Sequence, residues 1–175
     1  MRLLLWVVNL VGGIAVLGSY AHGIMTHDEP GRALWGGVPA SLRPLYQLCM
    51  LLATAGYFAF SGFLLFAVPP ETTRIAGRWG YGALVPIHAL FLVASALWMP
   101  LTFRYLAAPT TGGWIAVRAV LFATGLGALA LIAALATIEP REPRWAWTLA
   151  LVGACAFALQ TAILDGLVWP ALFRR

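Results

Sequence analysis

Runs of apolar residues of similar length recur five times along the chain, separated by short clusters of Arg, Pro and Gly. Pro44 to Pro70 holds no ionisable side chain except Tyr and Cys, and Trp79 to Phe103 adds only His88. Leu3 to Ala21, Ala119 to Ile138 and Trp145 to Leu164 are free of Asp, Glu, Arg and His. A bilayer core of about 30 Å is crossed by a helix of about 20 apolar residues. The pattern therefore predicts an all-α integral membrane protein, a bundle of five transmembrane helices at about 3–22, 45–68, 81–103, 114–137 and 145–169. A single domain spans 1–175. Met1-Arg2-Leu3 and the apolar run behind it resemble a signal peptide, but the run is long for such a segment and is taken as the first span.

Pro and Gly punctuate the joins: Pro30, Pro39 and Pro44 in the first loop, Pro69-Pro70, Pro109, and Pro140 with Pro143. Pro86 and Pro100 fall inside the third span, as kinks or, for Pro100, as an opening of that helix toward a cavity. Trp79, Trp114, Trp145, Trp147 and Trp169 lie near span ends, where an indole favours the headgroup layer. Small residues such as Gly12, Gly13, Gly18, Gly56, Gly125, Gly127 and Gly153 permit close helix contacts within the bundle or in a homodimer.

Polar groups inside a span are costly and mark candidate sites. Counting about 1.5 Å per residue along alternating helices sorts them by depth. His22, Gln47, Trp98, Arg118, Gln160 and Asp165 fall in the half nearest the first loop, and Asn9 and His88 in the other. The first loop, about Gly23–Pro44, lies over the richer end and is long enough to be a lid or binding element. Asp165 is expected to pair with Arg118 or Arg43 at the mouth of a cavity.

Composition narrows the classes. Charged residues make up 10% of the chain, against about 25% in soluble proteins, so no room is left for a separate soluble domain. All the basic residues are Arg, which excludes a lysine Schiff base and is what a GC-rich genome would encode. A multi-pass protein of a bacterial-type membrane is the expected setting. Arginines at loop ends suit lipid headgroups, and no nucleic-acid binding is read into them. Five arginines on one face (2, 74, 78, 141, 144) against six on the other (32, 43, 104, 118, 174, 175) do not decide orientation. Cys49 and Cys155 lack metal or redox spacing and are expected to pack inside. No Ser–His–Asp order, carboxylate pair, HxxxH or phosphate loop is present. No catalytic or metal residue is assigned, and a binding role is favoured over an enzyme.

One stretch, Ala96-Leu97-Trp98-Met99-Pro100-Leu101-Thr102-Phe103, resembles the third-helix signature Asn-x-x-Trp-[Ser/Thr]-Pro-x-x-Phe of the tryptophan-rich sensory protein / translocator protein family (TspO/MBR). Trp98, Pro100 and Phe103 match, and Ser95 stands where Asn is expected. Leu164-Asp165 followed by Trp169 is similar to that family's fifth-helix Leu-Asn-x-x-x-Trp, with Asp for Asn. Trp35, Pro39, Pro44 and Tyr46 are similar to its Trp/Pro-rich first loop, without the Trp-x-Pro-Pro spacing. The resemblance implies a homodimer that binds a porphyrin, haem or sterol-like molecule beneath the first loop, for transport or sensing. The ligand-binding candidates are Trp35, Tyr46, Gln47, Ser95, Trp98, Phe103, Gln160 and Asp165, with a tetrapyrrole as the one candidate cofactor-like ligand. Two other readings stand beside it: an accessory structural subunit of a larger membrane complex, or a membrane enzyme acting on a lipid or isoprenoid with His88 or Asp165 as acid–base.

Overall fold

The structure, a computed structural model, describes residues 1–28 and 30–173; the side chain of Arg32 is also not described. Arg174, Arg175 and the Arg32 side chain, counted above for orientation, thus lie outside the described residues. Five long helices dominate. Helix α1 is Arg2–Thr26, and a short α2, Pro30–Trp35, lies in the first loop. Helix α3, Arg43–Gly62, continues as a π-helical turn over Phe63–Ala67. Helix α4 is Leu84–Ala107 and α5 is Thr111–Thr137. Helix α6, Arg144–Ala158, continues as a π-helix over Leu159–Val168 and ends in the short α7, Trp169–Leu172. All five predicted spans are present, and each is long and apolar enough to cross a membrane. Their outward faces carry Leu10, Leu17, Leu51, Val93, Leu126 and Val152, all exposed. Apolar surface on that scale fits a multi-pass integral membrane protein.

Helix α1 packs on α4, α4 on α5, α5 on α6, and α6 on α3. The first and last helices of that series, α1 and α3, face one another across a gap. They are tied near one end by Asn9, whose Oδ1 accepts from Tyr57 Oη (2.9 Å) and Ser61 Oγ (3.2 Å). Asn9 Nδ2 donates to Leu5 O, so both halves of the amide are used. Only Leu5, Asn9 and Gly23 of α1 are buried, which leaves it peripheral. Interhelical hydrogen bonds in lipid are worth about 0.6–2 kcal/mol. Asn9→Leu is therefore expected to lower the thermal midpoint in detergent modestly, and Tyr57→Phe by less because Ser61 still donates.

Most of the small residues serve packing inside the bundle. Gly56 and Gly153 bring the α3 and α6 backbones together, Gly125 lies against Ala162, and Gly127 against Phe91. Behind the gap Phe60, Phe91 and Phe157 pack edge to face on one another, with the buried His88 against Phe60 and Phe91. Helix α5 is capped by Thr110, whose hydroxyl accepts from Gly113 N at 3.0 Å and so satisfies a free N–H.

Several expectations are corrected. The first loop is partly helical, and α1 runs four residues past His22 to Thr26. Pro86 lies in the first turn of α4, where its missing N–H costs nothing. Pro100 is exposed and mid-helix, and α4 continues to Ala107, so it opens nothing inward. Trp114 and Trp169 lie at helix ends as expected but are buried against Phe173 and Tyr105 rather than exposed. Cys155 faces outward; only Cys49 is buried. A two-residue antiparallel pair, β1 (Arg74–Ile75) with β2 (Ile138–Glu139), joins two loops at the end opposite the first loop. Strands that short have no alternation to detect.

Candidate functional site

The gap between α1 and α3 widens above Asn9 into a cavity of about 460 Å³. Its back wall is Phe91 and Leu92 of α4, Leu121 of α5, and Phe157 and Gln160 from α6 onward. Leu34 and Trp35 close it on the first-loop side. The rim is Leu17 of α1 with Gln47, Met50, Thr54 and Phe58 of α3, all exposed. The opening therefore lies along the helices, on the surface that acyl chains would touch.

The first loop is held over the cavity by specific contacts. Trp169 Nε1 donates to Leu34 O at 3.0 Å. Ala33 and Val38 are buried. Gly36, at the end of α2, has φ +52° and lies against the Phe173 ring, so both the left-handed backbone and the lack of space call for glycine. Arg43 is held over the Trp35 ring, its Cζ 5.4 Å from the centroid.

Seven of the eight candidates, Trp35, Tyr46, Gln47, Ser95, Trp98, Gln160 and Asp165, line this one cavity. Phe103 does not: it is buried nearer the loop, with the His27 ring stacked on it at 3.6 Å. The expected Asp165–arginine pair is not formed. Asp165 Oδ1 accepts from Gln160 Nε2 at 2.8 Å. Arg118 is exposed and held over Phe122, and Arg43 over Trp35. His22 is exposed, and His88 is fully buried but off the cavity.

The π-helix explains the Gln160–Asp165 bond. In an α-helix, residues five apart point roughly 140° away from one another at 3.6 residues per turn. The π-helical winding brings i and i+5 nearly into line, so both side chains reach the same wall. Gln160 is 5% exposed, and its Oε1 has no partner among the described residues. Trp98 Nε1 is likewise unpartnered among them. Other polar groups on the wall are already engaged: Tyr46 Oη donates to Leu164 O, Thr54 to Met50 O and Thr161 to Phe157 O. Aromatic rings surround the polar pair. Trp98 meets Tyr20 at 5.6 Å and Trp169 at 5.8 Å, and Trp35 meets Tyr46 at 6.5 Å.

Tyr20, Tyr57, Phe91, Phe157 and Thr124 also line the cavity and were not among the candidates. The tyrosines had a usable signal: a phenol in an apolar span is a polar group and belongs in the depth count with Gln and Trp.

No protein-family model matches this sequence, and comparison with curated proteins and with solved structures returned no match.

Proposed function

We propose that this chain is a membrane binding protein, serving transport or sensing, for a hydrophobic ring-bearing molecule of porphyrin, haem or sterol-like dimensions held beneath residues 23–44. One observation carries the reading: an apolar, aromatic-walled cavity of about 460 Å³ with an unpartnered acceptor, Gln160 Oε1, and an unpartnered donor, Trp98 Nε1, on its wall. Ligand sites have volumes of roughly 300–1,000 Å³ and a few polar groups that fix orientation. An accessory subunit would keep its bundle centre packed shut, and the open cavity weighs against that role. A membrane enzyme would need a proton-transfer group on an open wall. Asp165 is the only Asp, Glu or His among the described lining residues, with no second such group beside it. The resemblance to the TspO/MBR family at Trp98, Pro100, Phe103, Leu164 and Trp169 supports the reading, and with it a homodimer. Gly18 and Gly62, where an added Cβ would meet nothing within 4 Å, offer close-contact faces for the second copy.

Titrating the purified chain with dehydroergosterol, or with protoporphyrin dimethyl ester, should give saturable tryptophan-sensitised emission. Trp98→Ala should weaken binding by about tenfold, the equivalent of 1.4 kcal/mol and within reach of one lost aromatic contact. Emission that rises without saturating for both probes would show that the cavity is not a ligand site.

A further inference from the structure

The cavity's electrostatics are one-sided. Asp165 contributes a carboxyl, and no Arg or His stands among the described lining residues; the sequence has no Lys. Gln160 spends its amide N–H on Asp165 Oδ1 and leaves Oε1 facing no donor. Asp165 is only partly buried, and Oδ1 is the carboxyl oxygen that Gln160 engages. The unpartnered Gln160 Oε1 and the Asp165 carboxyl thus stand on one wall, linked by the Gln160 amide N–H. Around them stand Tyr20, Trp98 and Trp169, with Trp35 and Tyr46 toward the loop. Aromatic faces attract cations through the negative face of the ring, and a carboxylate completes such a box.

Resting on the ligand-site reading above, we infer that the molecule bound here is a hydrophobe whose polar end is a protonated amine, seated on Asp165 and Gln160 among these rings. The amine supplies the N–H donor that Gln160 Oε1 lacks, and its charge neutralises the Asp165 carboxylate. An alcohol supplies one donor and no charge. A carboxylate brings like charge to Asp165 with no guanidinium on the wall to meet it. A site whose buried polar groups are built for one partner rejects the analogue that leaves them unpaired, and like charge adds to the rejection.

Retinylamine, retinol and retinoate share one ring and polyene, which accepts energy from tryptophan, and differ in the end group. Each is titrated into the full chain in nanodiscs of zwitterionic lipid, with empty nanodiscs subtracting partitioning. The amine should bind tightest, the alcohol next, and the acid at least about tenfold weaker than the amine. Asp165→Asn, close to isosteric, should weaken the amine by about fivefold or more and shift the alcohol by less than about twofold. Equal binding of acid and amine would overturn the inference while leaving the cavity a ligand site. An unchanged amine-to-alcohol ratio in a folded Asp165→Asn protein would do the same. Absence of saturable binding for all three would remove the ligand-site reading, and this inference with it. Should Asp165→Asn fail to fold, the comparison of the three end groups on the unaltered chain decides alone.

Discussion

Gly56→Val is expected to take the bundle apart. A Cβ at residue 56 would lie 2.8 Å from Gly153 Cα and nearer still to the Gly153 carbonyl oxygen, and a Cβ at residue 153 would lie 2.7 Å from Gly56 Cα. Both obstacles are backbone, so no rotamer change relieves them and the two helices must separate. Helix α3 packs principally on α6. In lipid, helices associate through close van der Waals approach rather than through expulsion of water, so a lost approach is not offset elsewhere. Overpacking costs about 1–3 kcal/mol and occasionally more; two facing backbones put Gly56→Val at about 3 kcal/mol or beyond. The measurement is the thermal midpoint in detergent together with the fraction eluting as a single species. Gly112→Val is the control: a Cβ there would meet nothing within 4 Å, so the loss should be much smaller. A wild-type midpoint for Gly56→Val would mean that α3 and α6 do not cross at these glycines.

Gly13→Phe should do the reverse, leaving the fold intact and closing the cavity. Gly13 lines the opening on α1, and a Cβ there would meet only Tyr57 Oη, at the ordinary contact distance of 3.9 Å. Replacing a helix-interior glycine also removes a penalty of about 1 kcal/mol on the soluble-peptide scale. The ring extends into the space between Val16, Tyr57 and Leu92. Binding of any ring-bearing probe should weaken by about a hundredfold, the equivalent of 2.8 kcal/mol, with the thermal midpoint unchanged or raised. Full-affinity binding in a folded Gly13→Phe protein would place the ligand outside this cavity. The two glycines are alike in sequence context and opposite in consequence, because one faces backbone and the other faces space.

The spans were legible because bilayer thickness imposes a length on apolar runs, and little else in a sequence of this composition competes with that signal. Depth was legible for the same reason: Gln47, Trp98, Gln160 and Asp165 are brought to one cavity as the count along alternating helices requires. Rotation about each helix was not. Phe103 follows Trp98 and Pro100 in a continuous motif, yet it turns to His27 and away from the opening. Asp165 was expected to seek an arginine, because charge pairing can be read from a sequence and helix winding cannot. Only the π-helical stretch over Leu159–Val168 brings Gln160 within reach of it. Tyr20 and Tyr57 line the cavity without announcing it in the sequence, because their aromatic bodies read as core although their hydroxyls are polar. The fate of each small residue was also closed to inspection, since Gly13, Gly56 and Gly62 differ only in what stands opposite them.

On the ligand-site reading proposed above, the position of the rim between Leu17 and Phe58 changes what occupancy means. A solute arriving there comes out of hydrocarbon, so the relevant supply is its mole fraction among the acyl chains. Diluting the vessel with buffer hardly alters that quantity, whereas adding more lipid lowers it in proportion. Half-saturation should therefore move to higher total ligand as the lipid-to-protein ratio rises, and coincide when plotted as ligand per lipid. Aqueous solubility then places no lower bound on what the cavity can capture, and competition comes from the bilayer's own amphiphiles, which are present in vast excess.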